Sequence, residues 1–194
     1  MVKDPIAAVV LGHGAGGGVA TADLTAARDA AQTAGLSVVL VEQPYRVAGR
    51  RSQPAPGQLD EAWVAIVKRL RETEIDEMAL VVGGRSAGAR VACRTAPRVD
   101  AVAVLCLAFP VHPPGRADDP GKSRLPELDS VRGPTLVIQG ERDPFGMPPE
   151  GPNRKVVSDP GDHSLRNTAP VAAAVDDWLR SLFPGASSDS RRPR

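Results

Sequence analysis

The sequence contains few of the residues that bind metals, form disulfides or contact nucleic acids. Its 194 residues include two cysteines, three histidines and only 3% aromatic residues, and the net charge is +1. Cys93 and Cys106 lack the spacing of a zinc site or a disulfide framework, so we expect buried free thiols and no bound metal. The balanced charge gives no reason to expect nucleic-acid or membrane-surface binding.

Long hydrophobic runs are also missing. The apolar stretch that follows Pro5 is interrupted by glycines from Gly12 onward, which makes it too short for a signal peptide or a membrane span. We therefore expect a cytoplasmic protein. A hydrophobic content of 42% with 24% charged residues fits one globular domain, which we place at residues 1–183. The Ser-, Arg- and Pro-rich tail at 184–194 is predicted to be disordered.

Short apolar runs alternate with amphipathic segments along the chain. This alternation predicts an α/β fold with a parallel sheet covered by helices on both faces. The predicted strands are 6–11, 36–41, 78–82, 99–108, 134–139 and 154–157. The predicted helices are 23–34, 59–71, 87–93 and 170–183, with Thr168 as the N-cap of the last. Residues 42–51 are predicted as a loop, and 109–133 as a connection with at most one helical turn.

The most informative stretch is Gly84-Arg85-Ser86-Ala87-Gly88, a Gly-x-Ser-x-Gly pattern between a predicted strand and a predicted helix. A serine at such a turn is pushed into the open, and its flanking glycines remove side chains that would collide with neighbouring backbone. About 0.1 such matches are expected by chance in a chain of this composition. Ser86 is therefore a candidate nucleophile only if a base and an acid accompany it.

Ser86 needs a base within hydrogen-bond reach and an acid that orients this base. His163 is the expected base, since it lies in the loop before the closing helix. Asp143 follows the strand at 134–139 and is the expected acid, in the chain order typical of a serine at a strand-to-helix turn. Glu141, only two residues away, is the competing acid.

The expected oxyanion hole and substrate contacts lie in neighbouring loops. Backbone N–H groups stabilise the oxyanion that develops during acyl transfer. Ala87 would supply one donor at the helix start, and Ala15 in the first glycine-rich loop the other. His13, Arg46 and His112 are candidate substrate-binding residues. His13 has the alternative role of holding the glycine turn, and His112 that of a structural residue among prolines.

Four motifs in order resemble those of a small α/β-hydrolase family related to the dienelactone hydrolases. They are Gly-His-Gly-Ala-Gly-Gly at 12–17, Glu-Gln-Pro-Tyr-Arg-Val-Ala-Gly-Arg-Arg at 42–51, Gly-Arg-Ser-Ala-Gly-Ala-Arg at 84–90 and Phe-Pro-Val-His-Pro-Pro-Gly at 109–115. The likeness spans nearly the whole chain except its tail. It implies an α/β-hydrolase fold with a minimal, mostly parallel sheet of about six strands, which begins at the third strand of the full-length fold. It also implies an open site without a helical cap.

The same resemblance, with the residues above, implies a serine hydrolase. Its substrate would be a small-molecule ester or thioester, cleaved through an acyl-enzyme on Ser86 without a cofactor. Dienelactone hydrolase itself has cysteine at the position of Ser86, so lactone specificity is not carried over.

Two other functions remain open. Gly12-x-Gly14-x-x-Gly17 after a strand, with Glu42 at the end of the next strand, matches a dinucleotide-binding pattern. That function leaves Asp143 and His163 unexplained. The second alternative is a non-catalytic scaffold, because one branch of the resembled family is a subunit of a chromatin-modifying acetyltransferase complex.

Arg46, Arg50 and Arg51 provide a first test of substrate choice. These arginines would hold a carboxylate or phosphate of the substrate, or they pair with surface acids in a solvated loop. Replacing all three with glutamine is expected to raise KM for anionic esters and leave KM for neutral esters unchanged. Steady-state kinetics on both ester types measures the ratio, and an unchanged ratio eliminates the substrate role.

Overall fold

The short apolar runs form the strands of a fully parallel sheet. The structure, a computed structural model, describes residues 5–185. Within these residues the strands are β1 (Ala7–Gly12), β2 (Ser37–Val41), β3 (Ala79–Arg85), β4 (Ala103–Leu107), β5 (Thr135–Gly140) and β6 (Arg154–Asp159). They lie side by side in the order β2-β1-β3-β4-β5-β6. The predicted parallel sheet of about six strands is confirmed, and β3 lies near its centre.

Helices cover both faces of this sheet. They are α1 (Ala22–Thr33), α2 (Pro44–Val47), α3 (Pro56–Thr73), α4 (Ala87–Thr95), α5 (Leu125–Asp129) and α6 (Thr168–Leu182). Residues of α1 and α6 pack in the core on one face, and residues of α3, α4 and α5 pack in the core on the other. The interior strand β1 shows why both cores form. Ala7, Val9 and Leu11 enter the first core, while Ala8 and Val10 enter the second, and all five are fully buried.

One predicted strand is shorter than expected. The strand predicted at 99–108 begins at Ala103, because the chain leaves α4 through a 3₁₀ turn at Ala96–Val99. Asp100 then adopts a left-handed backbone with φ of 53°. A residue in that conformation cannot continue a strand, so the strand predicted from the apolar run is longer than the observed one.

Two connections also differ from the sequence prediction. Pro44 begins the short helix α2 inside the predicted loop, since proline at the first helical position has the required φ. Asn167, rather than Thr168, occupies the N-cap position of α6. Between β4 and β5 the described chain forms only a 3₁₀ turn (Pro120–Lys122) and α5, which agrees with the expected lack of a helical cap.

The cysteines are free and buried, as predicted, with their sulfur atoms 3.6 Å apart. Cys93 lies on α4 and Cys106 on β4. The hydrogen bond with Cys106, together with burial, raises the pKa of Cys93 well above its usual value.

Among the described helices, none is both long enough and apolar enough to cross a membrane. Most of the tail predicted to be disordered, from residue 186, lies outside the described residues.

Trp63 provides a test of the core beneath the carboxyl end of β1. Its side chain is fully buried on α3 and lies against Gly12, where an added Cβ would come within 3.0 Å of the indole ring. Replacing Trp63 with alanine is expected to lower the free energy of unfolding by about 3–5 kcal/mol because it leaves a cavity. Urea denaturation measures the loss. Trp63→Phe, which keeps a ring in place, should lose clearly less, and equal losses would contradict this account.

Candidate active site

Ser86 lies at the tight turn between β3 and α4. Its backbone has φ of 52° and ψ of −111°, a conformation that costs a non-glycine residue of order 1–3 kcal/mol. The Ser86 N–H donates to the carbonyl of Leu107, 2.9 Å away on the neighbouring strand. The turn also packs closely against the end of β1, since a Cβ on Gly84 or Gly88 would collide with the carbonyl oxygen of Gly12. Close packing against β1 therefore explains both glycines of the motif.

The structure brings Ser86, Asp143 and His163 together at the carboxyl edge of the sheet. Nε2 of His163 lies 3.0 Å from Oγ of Ser86, and Nδ1 of His163 lies 2.8 Å from Oδ2 of Asp143. Asp143 follows β5 and His163 lies in the loop between β6 and α6, so adjacent strands deliver both side chains. With Nδ1–H donating to the carboxylate, Nε2 is free to accept from the serine hydroxyl.

The carboxylate of Asp143 is fully buried and held by several donors. The N–H of Phe145 donates to Oδ1 at 2.8 Å, and Nε2 of Gln139 donates to Oδ2 at 2.8 Å. The Gln139 amide also contacts the carbonyl oxygens of Phe109 and Gly146, at 3.1 Å and 2.8 Å. Gln139 was missed by the sequence analysis. A buried amide at the end of an otherwise apolar strand was the available signal.

Glu141, the competing acid, is directed elsewhere. Its side chain is exposed and accepts a hydrogen bond of 3.4 Å from the hydroxyl of Ser158 on the edge strand β6. The geometry therefore places Asp143, and not Glu141, beside His163. Phe145 is a second neighbour that the sequence analysis missed, since its ring packs on the imidazole of His163 with a centroid distance of 4.3 Å.

The two candidate oxyanion donors lie in segments next to Ser86. Ala87 is the first residue of α4, and the first N–H groups of a helix have no partner within the helix. The loop that carries Ala15 passes directly over the turn, since a Cβ on Gly14 would lie 3.3 Å from Cβ of Ser86. The hydroxyl of Tyr45 donates to the carbonyl of Ala15 at 3.4 Å.

His13 lies within this loop and is almost fully buried. Its Nδ1 lies 2.7 Å from the carbonyl oxygen of Gly14, and its Nε2 accepts from the N–H of Gln43 at 3.0 Å. Both ring nitrogens are thus engaged by main chain, which supports the turn-holding role for His13. Substrate contact by this side chain stays a prediction.

The other two candidate substrate residues lie further out. His112 is half-buried, with Nδ1 2.9 Å from the carbonyl oxygen of Pro113 and Nε2 against Gly146. Arg46 is half-buried on α2. Nearby, Tyr45 and Arg50 line a surface cavity of about 430 Å³ between α2 and the start of α3. Ser86 is not among its lining residues, but Tyr45, which lines it, also contacts Ala15 in the candidate oxyanion loop.

The described residues do not include a metal-binding cluster. Within 5–185, no group of three or more His, Cys, Asp or Glu side chains is arranged to hold a metal ion. The first glycines of the glycine-rich loop contact the serine turn. Gly12 packs against the serine turn, and Gly14 lies against Arg85 and Ser86.

Several solved structures share this fold at low sequence identity. An α/β serine hydrolase without a lid from Xanthomonas campestris is 21% identical, with a TM-score of 0.76 over 94% of this chain and 85% of the other. Est1E from Butyrivibrio proteoclasticus is 12% identical, with a TM-score of 0.72 over 94% and 91%. An esterase from Pyrococcus furiosus is 17% identical, with a TM-score of 0.72 over 91% and 83%.

Sequence comparison identifies the family. None of the curated protein sequences matches this chain significantly. The model of one family, described as an alpha/beta hydrolase domain, matches residues 5–181. The narrower likeness to dienelactone hydrolases stays a prediction. Because the match covers nearly all of the described residues, the chain belongs to the alpha/beta hydrolase domain family.

Proposed function

We propose that the protein is a serine hydrolase that cleaves a small-molecule ester or thioester through an acyl-enzyme on Ser86. The observation that carries this proposal is the continuous hydrogen-bonded line from Ser86 through His163 to Asp143, with distances of 3.0 Å and 2.8 Å. Nucleophile, base and orienting acid are the groups that acyl transfer requires, in the geometry it requires.

The first half of the reaction acylates the serine. Oγ of Ser86 attacks the carbonyl carbon of the substrate while Nε2 of His163 takes the hydroxyl proton. The Asp143 carboxylate stabilises the resulting imidazolium, and the N–H groups of Ala87 and Ala15 stabilise the oxyanion. When the tetrahedral intermediate collapses, His163 gives its proton to the departing alcohol or thiol, and the acyl group stays on Ser86.

The second half returns the enzyme to its starting state. A water molecule attacks the acyl carbon, and His163 takes one of its protons. Collapse of this second intermediate releases the carboxylic acid, and His163 returns the proton to Oγ of Ser86. Between β4 and β5 the described chain carries no helical cap, which is consistent with an open site. Esterases among the structural neighbours support ester chemistry.

The dinucleotide-binding alternative has less support than the hydrolase function. Gly12 and Gly14, which suggested a pyrophosphate loop, are accounted for by their contacts with the serine turn. The carbonyl oxygen of Gly12 leaves room only for glycine at positions 84 and 88, whether or not a nucleotide is bound.

A fluorophosphonate probe tests the nucleophile directly. The folded wild-type protein is expected to form a covalent adduct, whereas Ser86→Ala is expected to form none, because the attacking oxygen is missing. Intact-mass spectrometry measures the adduct, and p-nitrophenyl esters and thioesters of graded chain length report turnover. A folded wild-type protein that neither reacts nor turns over any of these esters supports the scaffold function instead.

A pair of carboxylate variants tests the orienting acid. Asp143→Asn is expected to lower kcat by about 10³–10⁴-fold, because the amide favours the wrong imidazole tautomer and no longer stabilises the imidazolium. Glu141→Gln, two residues away, should keep the wild-type kcat since Glu141 contacts Ser158 instead. Steady-state hydrolysis of one p-nitrophenyl ester compares the two variants, and equal losses would argue against Asp143.

A further inference from the structure

Arg85, the residue directly before Ser86, points its side chain across the site to the loop of His163. Its Nε forms an ion pair of 2.8 Å with Oδ2 of Asp23 at the start of α1. Its Nη2 donates to the main-chain carbonyl oxygen of His163 at 2.8 Å. One guanidinium therefore connects the first helix, the serine turn and the backbone of the candidate base.

The charged pair behind this contact is well shielded from water. The side chains of Arg85 and Asp23 are 16% and 1% exposed. Removing two charges from water carries a large desolvation cost, so a buried ion pair adds little net stability compared with apolar packing. What the pair does provide is a fixed guanidinium, whose planar donors hold a carbonyl in one place. Stability alone is therefore a poor explanation for this arrangement.

The loop of His163 needs such an anchor. On the side of β5, Arg142 holds the loop through the carbonyl oxygens of Pro160 and Gly161. Those contacts lie two or three residues before the peptide of His163, and the N–H groups of Ser164 and Leu165 that follow it donate back to Asp162 within the same loop. Arg85 binds the carbonyl oxygen of His163 from the side of the serine turn. Because Arg85 and Ser86 are adjacent in the chain, the backbone of the base is tied to the backbone of the nucleophile.

We propose that Arg85 is a positioning residue, held by Asp23, which fixes the main chain at His163 so that its imidazole stays within reach of Ser86. This inference rests on the proposed function of Ser86 and His163. The polar contacts of Arg85 go to Asp23 and to the carbonyl oxygen of His163, so Arg85 acts through His163. A displacement of about 1 Å at a catalytic group is enough to lower a rate by about 100-fold.

Three variants test the anchor. Arg85→Gln removes the charge, Arg85→Lys keeps a charge for Asp23 but loses the fork that reaches both partners, and Asp23→Asn weakens the hold on the guanidinium. All three are expected to lower kcat by about 10–100-fold with KM nearly unchanged, because substrate binding is not disturbed. Arg85→Lys and Asp23→Asn also cover the case in which Arg85→Gln fails to fold.

Arg94→Gln is the matched control. Arg94 lies on α4 and pairs with Asp60 and Glu127, with side chains 18%, 15% and 19% exposed, and its contacts go to these acids rather than to the loop of His163. Its loss breaks at least as many charged contacts as the loss of Arg85 and is expected to leave kcat at the wild-type value. An equal loss of kcat in Arg94→Gln and Arg85→Gln would show general destabilisation and would overturn the positioning role.

A proton NMR signal gives a readout that does not depend on turnover. The Nδ1 proton of His163, hydrogen-bonded to Asp143, should give a far-downfield resonance in the wild type and a weakened or absent one in folded Arg85→Gln and Arg85→Lys. Wild-type kcat together with an unchanged resonance in Arg85→Lys overturns the inference and leaves the proposed hydrolase intact. If the wild type lacks fluorophosphonate reactivity, the hydrolase proposal fails and the resonance alone decides the role of Arg85.

Discussion

The close approach of the Gly12 carbonyl to the turn around Ser86 is the constraint on which the candidate site depends. Gly84 and Gly88 both press against this oxygen, so no side chain fits at either position. The same contact sets where the loop after β1 begins and therefore where Ala15 lies. Nucleophile and candidate oxyanion loop are thus positioned by one backbone contact between adjacent strands, and the strained φ of Ser86 is maintained by its surroundings.

Around this contact, buried polar groups gather at one edge of an otherwise apolar sheet. Asp23, Gln139, Asp143 and His13 are all almost fully buried, and each is held by main-chain donors, main-chain acceptors or charged side chains. Unpaired buried polar groups are costly, so these bonds restrict the loops to one arrangement. The helices on the two faces supply the apolar burial, and the polar edge positions the side chains of the candidate site.

Much of this arrangement was predictable from local patterns. Apolar runs indicated the parallel sheet, and the order of Ser86, Asp143 and His163 indicated which side chains should meet. Gln139, Phe145 and Arg85 were missed because their roles depend on contacts with residues distant in sequence, which leave no periodic trace. Gln139 contacts the carbonyl of Phe109, Phe145 the ring of His163 and Arg85 the carbonyl of His163. The strand predicted from residue 99 was too long for a related reason. Apolar character continues through Val99 and Val102, but Asp100 turns the backbone away from the sheet.

The paired thiols have a practical consequence for studying this fold. Cys93 and Cys106 join α4, the helix that begins at Ser86, to β4 in the middle of the sheet. Both are shielded from water, and the raised pKa of Cys93 keeps its thiol protonated near neutral pH. Because both thiols are buried, a thiol-specific reagent reacts only when the packing between α4 and the sheet opens or the domain unfolds, so the modification rate reports the frequency of such openings.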